Sequence, residues 1–266
     1  MSLQSELTRL QANATSISSS KDAIMTALAS KGVTVPAGAT LHDVPNLIGM
    51  IDGSAPEPPT PSTSVVIGGH TYKTVIIGNQ EWLAENLDYK FQYNGSTLPI
   101  GGSEMPSTPK AWYYDNNEAG YGIDGTYKCG LLYNWHAVKY LDDNKSTLLP
   151  DGWHVPTSTE WDTLIDNIDG DSTAGIKLKA LDNSIASNWP SGWNGSDDYG
   201  FSALPAGRYD HNSFNSLDSE TCIWTSTESS DTYSTYRCLD TGSSLSPYNT
   251  GLKIYGFSLR LVRTLS

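Results

Sequence analysis

Three groups of acidic residues could in principle support hydrolytic catalysis. They are Asp197 with Asp198, Asp166 with Asp169 and Asp171, and Asp115 with Glu118. A glycoside hydrolase needs two carboxyl groups that face one cleft. Each group lies among turn-forming residues, however, and Asp in such stretches is more typical of solvated turns. Carboxylates are also ligands for Ca²⁺, but the sequence has no EF-hand pattern, and we predict no metal site.

The three cysteines, Cys129, Cys222 and Cys238, could support redox or nucleophilic chemistry. They cannot all pair within one chain, and none belongs to a CxxC motif. Cys222 and Cys238 could face each other on neighbouring strands and form a disulfide, or both could stay free, since sequence fixes no geometry. Apart from Arg237, no neighbour in the sequence would lower a thiol pKa. We therefore expect neither cysteine to act as a nucleophile.

The five histidines are scattered without the spacing of metal ligands. His154, within Gly-Trp-His-Val-Pro, is expected to be structural. No catalytic residue, metal or cofactor is predicted, and the chain is predicted not to be an enzyme.

A polar, tyrosine-rich segment from Ser229 to Thr250 favours binding over catalysis. All but five of its residues are Ser, Thr, Asp, Tyr, Asn or Gly. Tyrosine offers a large contact area with few rotatable bonds, while Ser and Asn offer adaptable hydrogen bonds. The alternative interpretation is a glycosylated or merely hydrophilic loop.

We predict that this segment and the polar loop after Arg208 form one ligand-binding face. Its predicted residues are Tyr209, Asp210, His211, Asn212, Phe214, Tyr233, Ser234, Tyr236, Arg237, Asp240, Ser243, Ser244, Ser246, Tyr248 and Asn249.

Two flanking runs that look structural should hold the polar segment in place. One is Trp-Thr-Ser-Thr-Glu-Ser, which begins at Trp224, and the other extends from Tyr255 to Arg263. In the second run apolar and polar residues alternate. This period of two predicts a half-buried strand, with Ser258 and Arg260 on its polar side.

The clearest local signal is a helix that follows Thr157. Thr157 and Glu160 form a capping box, and Gly170 is expected to end the helix. The apolar face of this helix comprises Trp161, Leu164, Ile165 and Ile168. Residues 65–87 predict a β-meander with turns at Gly68-Gly69 and Gly78-Asn79. Trp153, Trp161 and Trp224 are predicted core residues.

Residues 1–52 are predicted to be a helical segment for oligomerisation or attachment. Apolar residues recur at heptad spacing through residues 3–28, with isoleucines at positions that favour trimers or tetramers. The alternative is a surface helix that packs on its own domain. A second short helix is predicted from Thr40, and residues 53–64 form a Pro/Ser-rich linker. Residues 65–266 are predicted to form the ligand-binding domain.

Charge and hydropathy exclude several classes of partner. The formal net charge is −13, without a Lys/Arg cluster, so nucleic acid and anionic membranes are not expected partners. The sequence has no 18-residue apolar run and no signal-peptide pattern at its start. We expect an intracellular protein, or one that leaves the cell by another route.

Six motifs in order give the chain a recognisable family likeness. They are GNQEWLAENL, LLYNW, LLPDGWHVPTSTEWDTLI, YGFSALPAGRYD, WTSTES and YGFSLRLVR. Over residues 65–266 the chain resembles the Fibrobacter succinogenes major paralogous domain, found in surface proteins of Bacteroidetes and Fibrobacteres and in their phages. This likeness implies an α+β, C-type-lectin-like fold, shared with formylglycine-generating enzymes and with the variable proteins of diversity-generating retroelements.

The resemblance also implies a function for the polar segment. In the variable proteins, diversified residues lie near the C-terminus, just before a closing strand. Cys222 and Cys238 could then be diversified surface residues, since mutagenesis of an Asn codon can yield Cys as well as Tyr. Residues 31–51 are similar to helical modules of phage tail and baseplate proteins.

We therefore expect a trimeric phage tail-fibre or tail-tip receptor-binding protein, located in the virion and acting outside the cell. Its expected partners are a host-surface protein or glycan, two further copies of itself and other tail proteins. The alternatives are a bacterial surface adhesin of the same fold, or a formylglycine-generating or glycan-cleaving enzyme.

Overall fold

The computed structural model describes residues 64–181, 189–190, 195–242, 244–245 and 249–265, together with a helical stretch at residues 23–26 and 29. The chain divides into two compact units, Met1–Pro61 and Ser62–Ser266. The rest of the predicted heptad helix, the helix predicted from Thr40 and linker residues 53–63 lie outside the described residues. Within the described part of the chain, no helix has the length and apolar character needed to cross a bilayer.

The second unit contains thirteen described strands and five described α-helices. The strands are β1 (Ser64–Ile67), β2 (His70–Ile77), β3 (Gln80–Leu83), β4 (Gln92–Tyr93), β5 (Ser96–Thr97), β6 (Ala111–Trp112), β7 (Leu132–Tyr133), β8 (Ala206–Asp210), β9 (Ser213–Leu217), β10 (Thr221–Glu228), β11 (Tyr233–Leu239), β12 (Asn249–Leu252) and β13 (Val262–Thr264). The helices are α1 (Glu118–Tyr121), α2 (Trp135–Asp143), α3 (Lys145–Leu148), α4 (Ser158–Asp166) and α5 (Asp171–Leu178). A 3-10 turn lies at Tyr114–Asn116.

The first sheet is antiparallel and has the strand order β1–β2–β3–β13. Its first three strands are the predicted meander, with two-residue turns at Gly68-Gly69 and Gly78-Asn79, so that prediction is confirmed. At Gly68, which has a φ of +60°, a Cβ atom would lie 2.3 Å from the ring of Tyr89. Only glycine fits this turn without displacing the ring.

The second sheet has the order β12–β11–β10–β8–β9 and carries the polar segment. Its strands pair in antiparallel fashion except for β8 and β10, which are parallel and pair at Thr221 and Gly207. Cys222 pairs with Cys238 and Trp224 with Tyr236 across β10 and β11. Side chains alternate between the two faces of a strand, so Cys222, Trp224, Tyr236 and Cys238 share one face. Ile223 and Arg237 lie on the other.

The closing segment, residues 256–261, does not form the predicted half-buried strand. Gly256 bridges to Tyr209, and Ser258 bridges to Ile223, so the segment lies between β8 and β10. Ser258 and Arg260, the expected exposed positions, are both fully buried. The prediction was wrong because alternation identifies a strand with one solvated face, whereas this segment is covered on both faces. Regular strand geometry begins only at Val262.

Helix α4 contacts both sheets. It confirms the strongest local prediction from the sequence. The Thr157 hydroxyl accepts a hydrogen bond from the N–H of Glu160. In return, the Glu160 carboxylate accepts a hydrogen bond of 2.8 Å from the N–H of Thr157. Trp161, Leu164, Ile165 and Ile168 are all buried, as expected. The helix ends at Asp166, earlier than predicted, and Gly170 instead precedes α5.

Two large apolar clusters fill the space around the second sheet. One contains Trp135, Trp224 and Phe257, and the other contains Trp82, Trp161 and Ile223. Trp153, Trp161 and Trp224 are at most 2% exposed, which confirms them as core residues. The unit is thus a mixed α and β fold with curled sheets.

Candidate ligand-binding face

The β8–β9 hairpin presents two polar side chains at a tight turn. His211 and Asn212 form the two-residue connection and both have positive φ, 48° and 59°. A type I′ turn requires positive φ at both positions, and Asn-Gly is the preferred pair there. His at the first position raises the conformational cost of the turn. The His211 side chain is 77% exposed.

This turn contacts the closing segment through Tyr255. The Tyr255 hydroxyl and His211 Nε2 form a hydrogen bond of 3.1 Å, and the two ring centroids are 5.3 Å apart. The contact is held by the backbone, because the N–H groups of Tyr209 and Gly256 each donate to the other residue's carbonyl. The polar loop after Arg208 therefore meets Tyr255, which lies beyond the predicted polar segment Ser229–Thr250.

One further tyrosine on β11, Tyr236, extends the same surface, whereas the alternation of side chains along β11 places Tyr233 on the opposite face of the sheet. Tyr236 is half-buried and its ring lies 4.7 Å from that of Phe257 and 5.7 Å from that of Trp224. Tyr233, at the start of β11, is 44% exposed. Burial raises the pKa of Tyr236 and of Tyr255 above the usual value, so both phenols stay protonated near neutral pH.

We define the tyrosine face as His211, Tyr236 and Tyr255. Its floor includes Gly251 on β12, where an added Cβ would lie 3.0 to 3.1 Å from the rings of Tyr236, Phe257 and Trp224. The neighbouring strand thus passes directly against these rings. The tyrosine face is closely packed at its base and open to solvent at His211.

A charged network adjoins the tyrosine face at β8. Arg208 Nε donates to Asp210 Oδ2 at 2.8 Å, and Arg208 Nη1 donates to Glu220. Asn215 Nδ2 donates to the other oxygen of Asp210 at 2.6 Å. Asp210 is 7% exposed. These hydrogen bonds compensate for the free-energy cost of burying the Asp210 carboxylate, and they hold the hairpin that carries His211 in place.

A disulfide joins Cys222 and Cys238 across β10 and β11. Both cysteines are buried, at 1% and 3% exposure, which corrects the expectation that they could be diversified surface residues. Glu220 Oε1 lies 3.2 Å from Cys222 Sγ. Glu220 and both cysteines are close enough to share a metal, but a metal ligand must be a thiolate and the disulfide consumes both. Cys129 is a buried free thiol, and burial raises its pKa to about 12.

Comparison with protein families identifies the family of this chain. The model of the Fibrobacter succinogenes major domain matches residues 75–263. The chain belongs to this family. No curated protein and no solved structure matches it significantly. The family assignment confirms the resemblance drawn from the six sequence motifs.

Four of the predicted binding residues are buried within the Fibrobacter succinogenes major domain. They are Tyr209, Asp210, Ser234 and Arg237, none of which is more than 7% exposed. The Tyr209 hydroxyl donates to the Ser103 carbonyl at 3.0 Å. Arg237 Nη2 donates to Asp162 at 2.9 Å, on the helix side of the sheet. These residues support the domain from within, and we no longer assign them direct ligand contacts.

Several of the other predicted residues that the structure describes lie outside the tyrosine face. Asn212 is exposed beside His211, Asn249 is half-buried opposite Tyr236, and Phe214 packs its ring on Tyr209 and Tyr114. Asp240 and Ser244 are exposed at the opposite end of β11, where the Asp240 carbonyl accepts a bond from Lys179. Ser243, Ser246 and Tyr248 lie outside the described residues.

Each of the three acidic groups considered for catalysis contains at least one carboxylate with a structural partner in the domain. Both oxygens of Asp197 accept bonds from Ser202, at 2.7 Å from its N–H and 2.5 Å from its hydroxyl. Asp171 pairs with Arg237, and Glu118 pairs with Lys90. The sequence reasoning missed Tyr255 because it assigned the whole of YGFSLRLVR to a supporting strand. The signal that could have indicated Tyr255 was the polar residue His211, which forms a hydrogen bond with it.

Proposed function

We propose that this chain is a receptor-binding protein of a phage tail fibre or tail tip. In this proposal the Fibrobacter succinogenes major domain is a C-type-lectin-like head, and residues 1–52 trimerise or attach it. The tyrosine face binds a protein or glycan on the host surface. A bacterial surface adhesin of the same fold would use the same face.

The observation that carries the proposal is the contact between the His211 turn and Tyr255. It joins side chains from two distant parts of the chain into one partly exposed aromatic and polar surface. Tyrosines on a rigid base lose little conformational entropy on binding, which makes such a surface efficient for recognition. Loop residues placed on a rigid scaffold are also the usual location of binding sites.

The disulfide supports action outside the cell. Disulfides form and persist in oxidising environments such as the extracellular space, and Cys222–Cys238 lies directly beneath the tyrosine face. Three heads on one stalk would add avidity, because the second and third contacts become intramolecular.

Binding of the fluorescently labelled full chain to a panel of bacterial strains tests the proposal. In strains that bind, H211A and Y255A should each lower the affinity more than tenfold, as expected for side chains central to an interface. The matched control is Y93A, since Tyr93 is a half-buried tyrosine on β4, outside the tyrosine face. Equal affinity of all three variants and the parent chain, or no binding to any strain, would contradict the proposal.

Antibody labelling separates the two settings. Electron microscopy that locates the protein at phage tail tips supports the tail assignment. Labelling of the bacterial envelope in the absence of phage supports the adhesin.

A further inference from the structure

We propose that the Cys222–Cys238 disulfide is a redox lock on the tyrosine face. In this proposal the pair stays in the dithiol form inside the cell that produces the chain, and oxidation after release fixes the face for binding. The inference rests on the proposed function and adds the regulation of the same site. It is carried by the contact between Glu220 and Cys222 and by the position of the disulfide in the second sheet.

The Glu220 carboxylate favours the dithiol over the disulfide. Its Oε1 atom lies 3.2 Å from Cys222 Sγ, which is within hydrogen-bonding distance of a thiol. In the dithiol form the Cys222 S–H can donate to this oxygen, and a hydrogen bond to a charged acceptor stabilises the thiol. In the disulfide form the sulfur carries no hydrogen, so this bond is lost. A group that stabilises the reduced state makes a disulfide easier to reduce.

Arg208 holds the Glu220 carboxylate against Cys222. Arg208 Nη1 donates to Glu220 Oε2, while Glu220 Oε1 contacts the sulfur. Arg208 Nε donates to Asp210 at 2.8 Å, and Asp210 directly precedes His211 in the hairpin. One path of polar contacts therefore extends from the sulfur pair to the His211 side of the tyrosine face.

A second path connects the disulfide to the tyrosine face through β11. Cys238 pairs with Cys222, and Tyr236 pairs with Trp224, across the same two strands. Tyr236 is two residues from Cys238 and therefore points to the same side of the sheet. Reduction removes a covalent constraint beside Tyr236. A less constrained surface loses more conformational entropy on binding, so the reduced face should bind more weakly.

The oxidation step is a thiol–disulfide exchange. A thiolate of the pair attacks a small disulfide such as oxidised glutathione, a mixed disulfide forms, and the second cysteine displaces the bound thiol. Two protein thiols and one small disulfide thus become one protein disulfide and two small thiols. Cys129 does not compete, because burial raises the pKa of its thiol to about 12 and the thiolate is the attacking species.

The two states of the lock match the two environments of a protein released from its producing cell. Thiol systems keep cysteines reduced in the cytosol, whereas disulfides form and persist outside the cell. The contact with Glu220 shifts the equilibrium in the cytosol further towards the dithiol. Release exposes the pair to an oxidising medium, in which the disulfide forms and the tyrosine face is fixed.

A redox titration of the full chain tests the Glu220 contact. The chain is equilibrated in mixtures of reduced and oxidised dithiothreitol, quenched with acid and alkylated, and the peptides of Cys222 and Cys238 are quantified by mass spectrometry. Since a thiol is a weak donor, we expect E220A to shift the equilibrium towards the disulfide by about threefold to tenfold. E220Q, which keeps a neutral acceptor, should shift it less.

The matched control for the titration is E228A. Glu228 lies on the same strand but pairs with Lys253, so E228A should leave the equilibrium within about twofold of the parent value. An E220A chain that titrates like the parent chain would show that Glu220 does not favour the dithiol, and the inference would be wrong.

Binding to bacterial cells tests the lock itself. The parent chain reduced with dithiothreitol should bind with about threefold to tenfold lower affinity than the oxidised chain, and reoxidation should restore the affinity. C222S/C238S should bind as weakly as the reduced parent chain, with or without reductant. C129S is the matched control, because it lacks only the third thiol and should respond to reductant as the parent chain does.

Circular dichroism of the same samples distinguishes a lock from loss of the fold. The reduced chain should keep the far-UV spectrum of the oxidised chain. Reduced and oxidised parent chains that bind equally well would overturn the inference. So would a reduced chain that has lost its folded spectrum, because the disulfide would then be required by the domain as a whole.

The variants of the tyrosine face separate this inference from the proposed function. If H211A and Y255A weaken binding to bacterial cells but reduction does not, the function stands and the redox lock is wrong. If H211A and Y255A leave cell binding unchanged, the proposed function fails and the lock fails with it.

Discussion

At the scale of single residues, His154 and Glu160 show how one side chain can serve two structural roles. Glu160 completes the capping box of α4 through its Oε2 atom, and its Oε1 atom is 2.6 Å from His154 Nε2. The other ring nitrogen of His154 is 2.9 Å from the Gly152 carbonyl. Both side chains are about one-fifth exposed. The pair thus links the start of α4 to the turn before it.

The charges of this pair predict a pH dependence of stability. The hydrogen bond with Glu160 is the main cause that raises the pKa of His154. For Glu160, burial has the largest single effect and raises the pKa, but the bonds from His154 and Thr157 together lower it. Because the pKa of His154 is raised in the folded state, its protonation stabilises the fold at pH values below the pKa of histidine in the unfolded chain. This stabilisation is lost as the pH rises through the folded-state pKa. Because the pKa of Glu160 is lowered in the folded state, its ionised form stabilises the fold at pH values above the pKa of glutamate in the unfolded chain.

Both contributions are therefore present between the unfolded pKa values of Glu and His, about 4.3 and 6.5. We expect H154Q to lower the free energy of unfolding by about 1.5 to 3 kcal/mol near pH 5.5, the range for hydrogen bonds to charged groups, and by less near pH 8. Urea denaturation at the two pH values measures the difference.

His136 provides a control, because its pKa is shifted in the direction opposite to that of His154. Burial, followed by repulsion from Lys253, lowers its pKa, so protonation of His136 destabilises the fold as the solution becomes acidic. H136Q should therefore gain stability relative to the parent chain at the lower pH. Equal losses in H154Q at both pH values would show that the ion pair has no energetic role.

At the scale of elements, the β10–β11 hairpin depends on its disulfide. The Cys222–Cys238 bond closes a loop with a sequence separation of 16 residues, and a loop of that length is stabilised by about 3 kcal/mol. We expect the C222S/C238S double variant to lose about 6 to 12 °C of thermal stability in a domain of this size. Calorimetry with and without reductant measures the loss.

The double variant is its own control for reductant effects. Reductant should lower the melting temperature of the parent chain to nearly that of C222S/C238S and leave the double variant unchanged. Cys129 is a free thiol and does not complicate the comparison. A parent chain that melts at the same temperature with and without reductant would contradict a stabilising disulfide.

The elements also show which features the sequence could and could not predict. Helix α4 was predictable because its signal is local: Thr157 and Glu160 cap each other, and Trp161 begins the apolar face. The closing segment was not, because its burial depends on Tyr209 and Ile223, which are distant in the chain. Composition indicated a polar binding region but could not tell which residues of β11 face inward. Tyr236 therefore remains on the candidate face, while Tyr233 and Arg237, on the opposite side of β11, and the buried Ser234 do not.

At the scale of the whole molecule, binding strength depends on how many heads act together. Weak single contacts at the tyrosine face become strong when two or more heads engage one surface, provided the geometry permits it. The heptad pattern of residues 3–28 predicts three copies in parallel. Ile24, at one of the seam positions, is helical and 36% exposed in the single chain, so its side chain is available to a second copy.

Multi-angle light scattering decides whether the chain trimerises through this seam. We expect the full chain to have about three times its own mass of 28.8 kDa, because isoleucines opposite leucines favour three-stranded packing. I24D should give a monomer, since a charge in the seam removes the apolar contact. The matched control is I176D, because Ile176 on α5 is similarly exposed, at 39%, but lies outside the seam and should leave the trimer intact. A full chain that stays monomeric at micromolar concentration would rule out the stalk, and the heptad residues would then be the surface of a helix packed on its own domain.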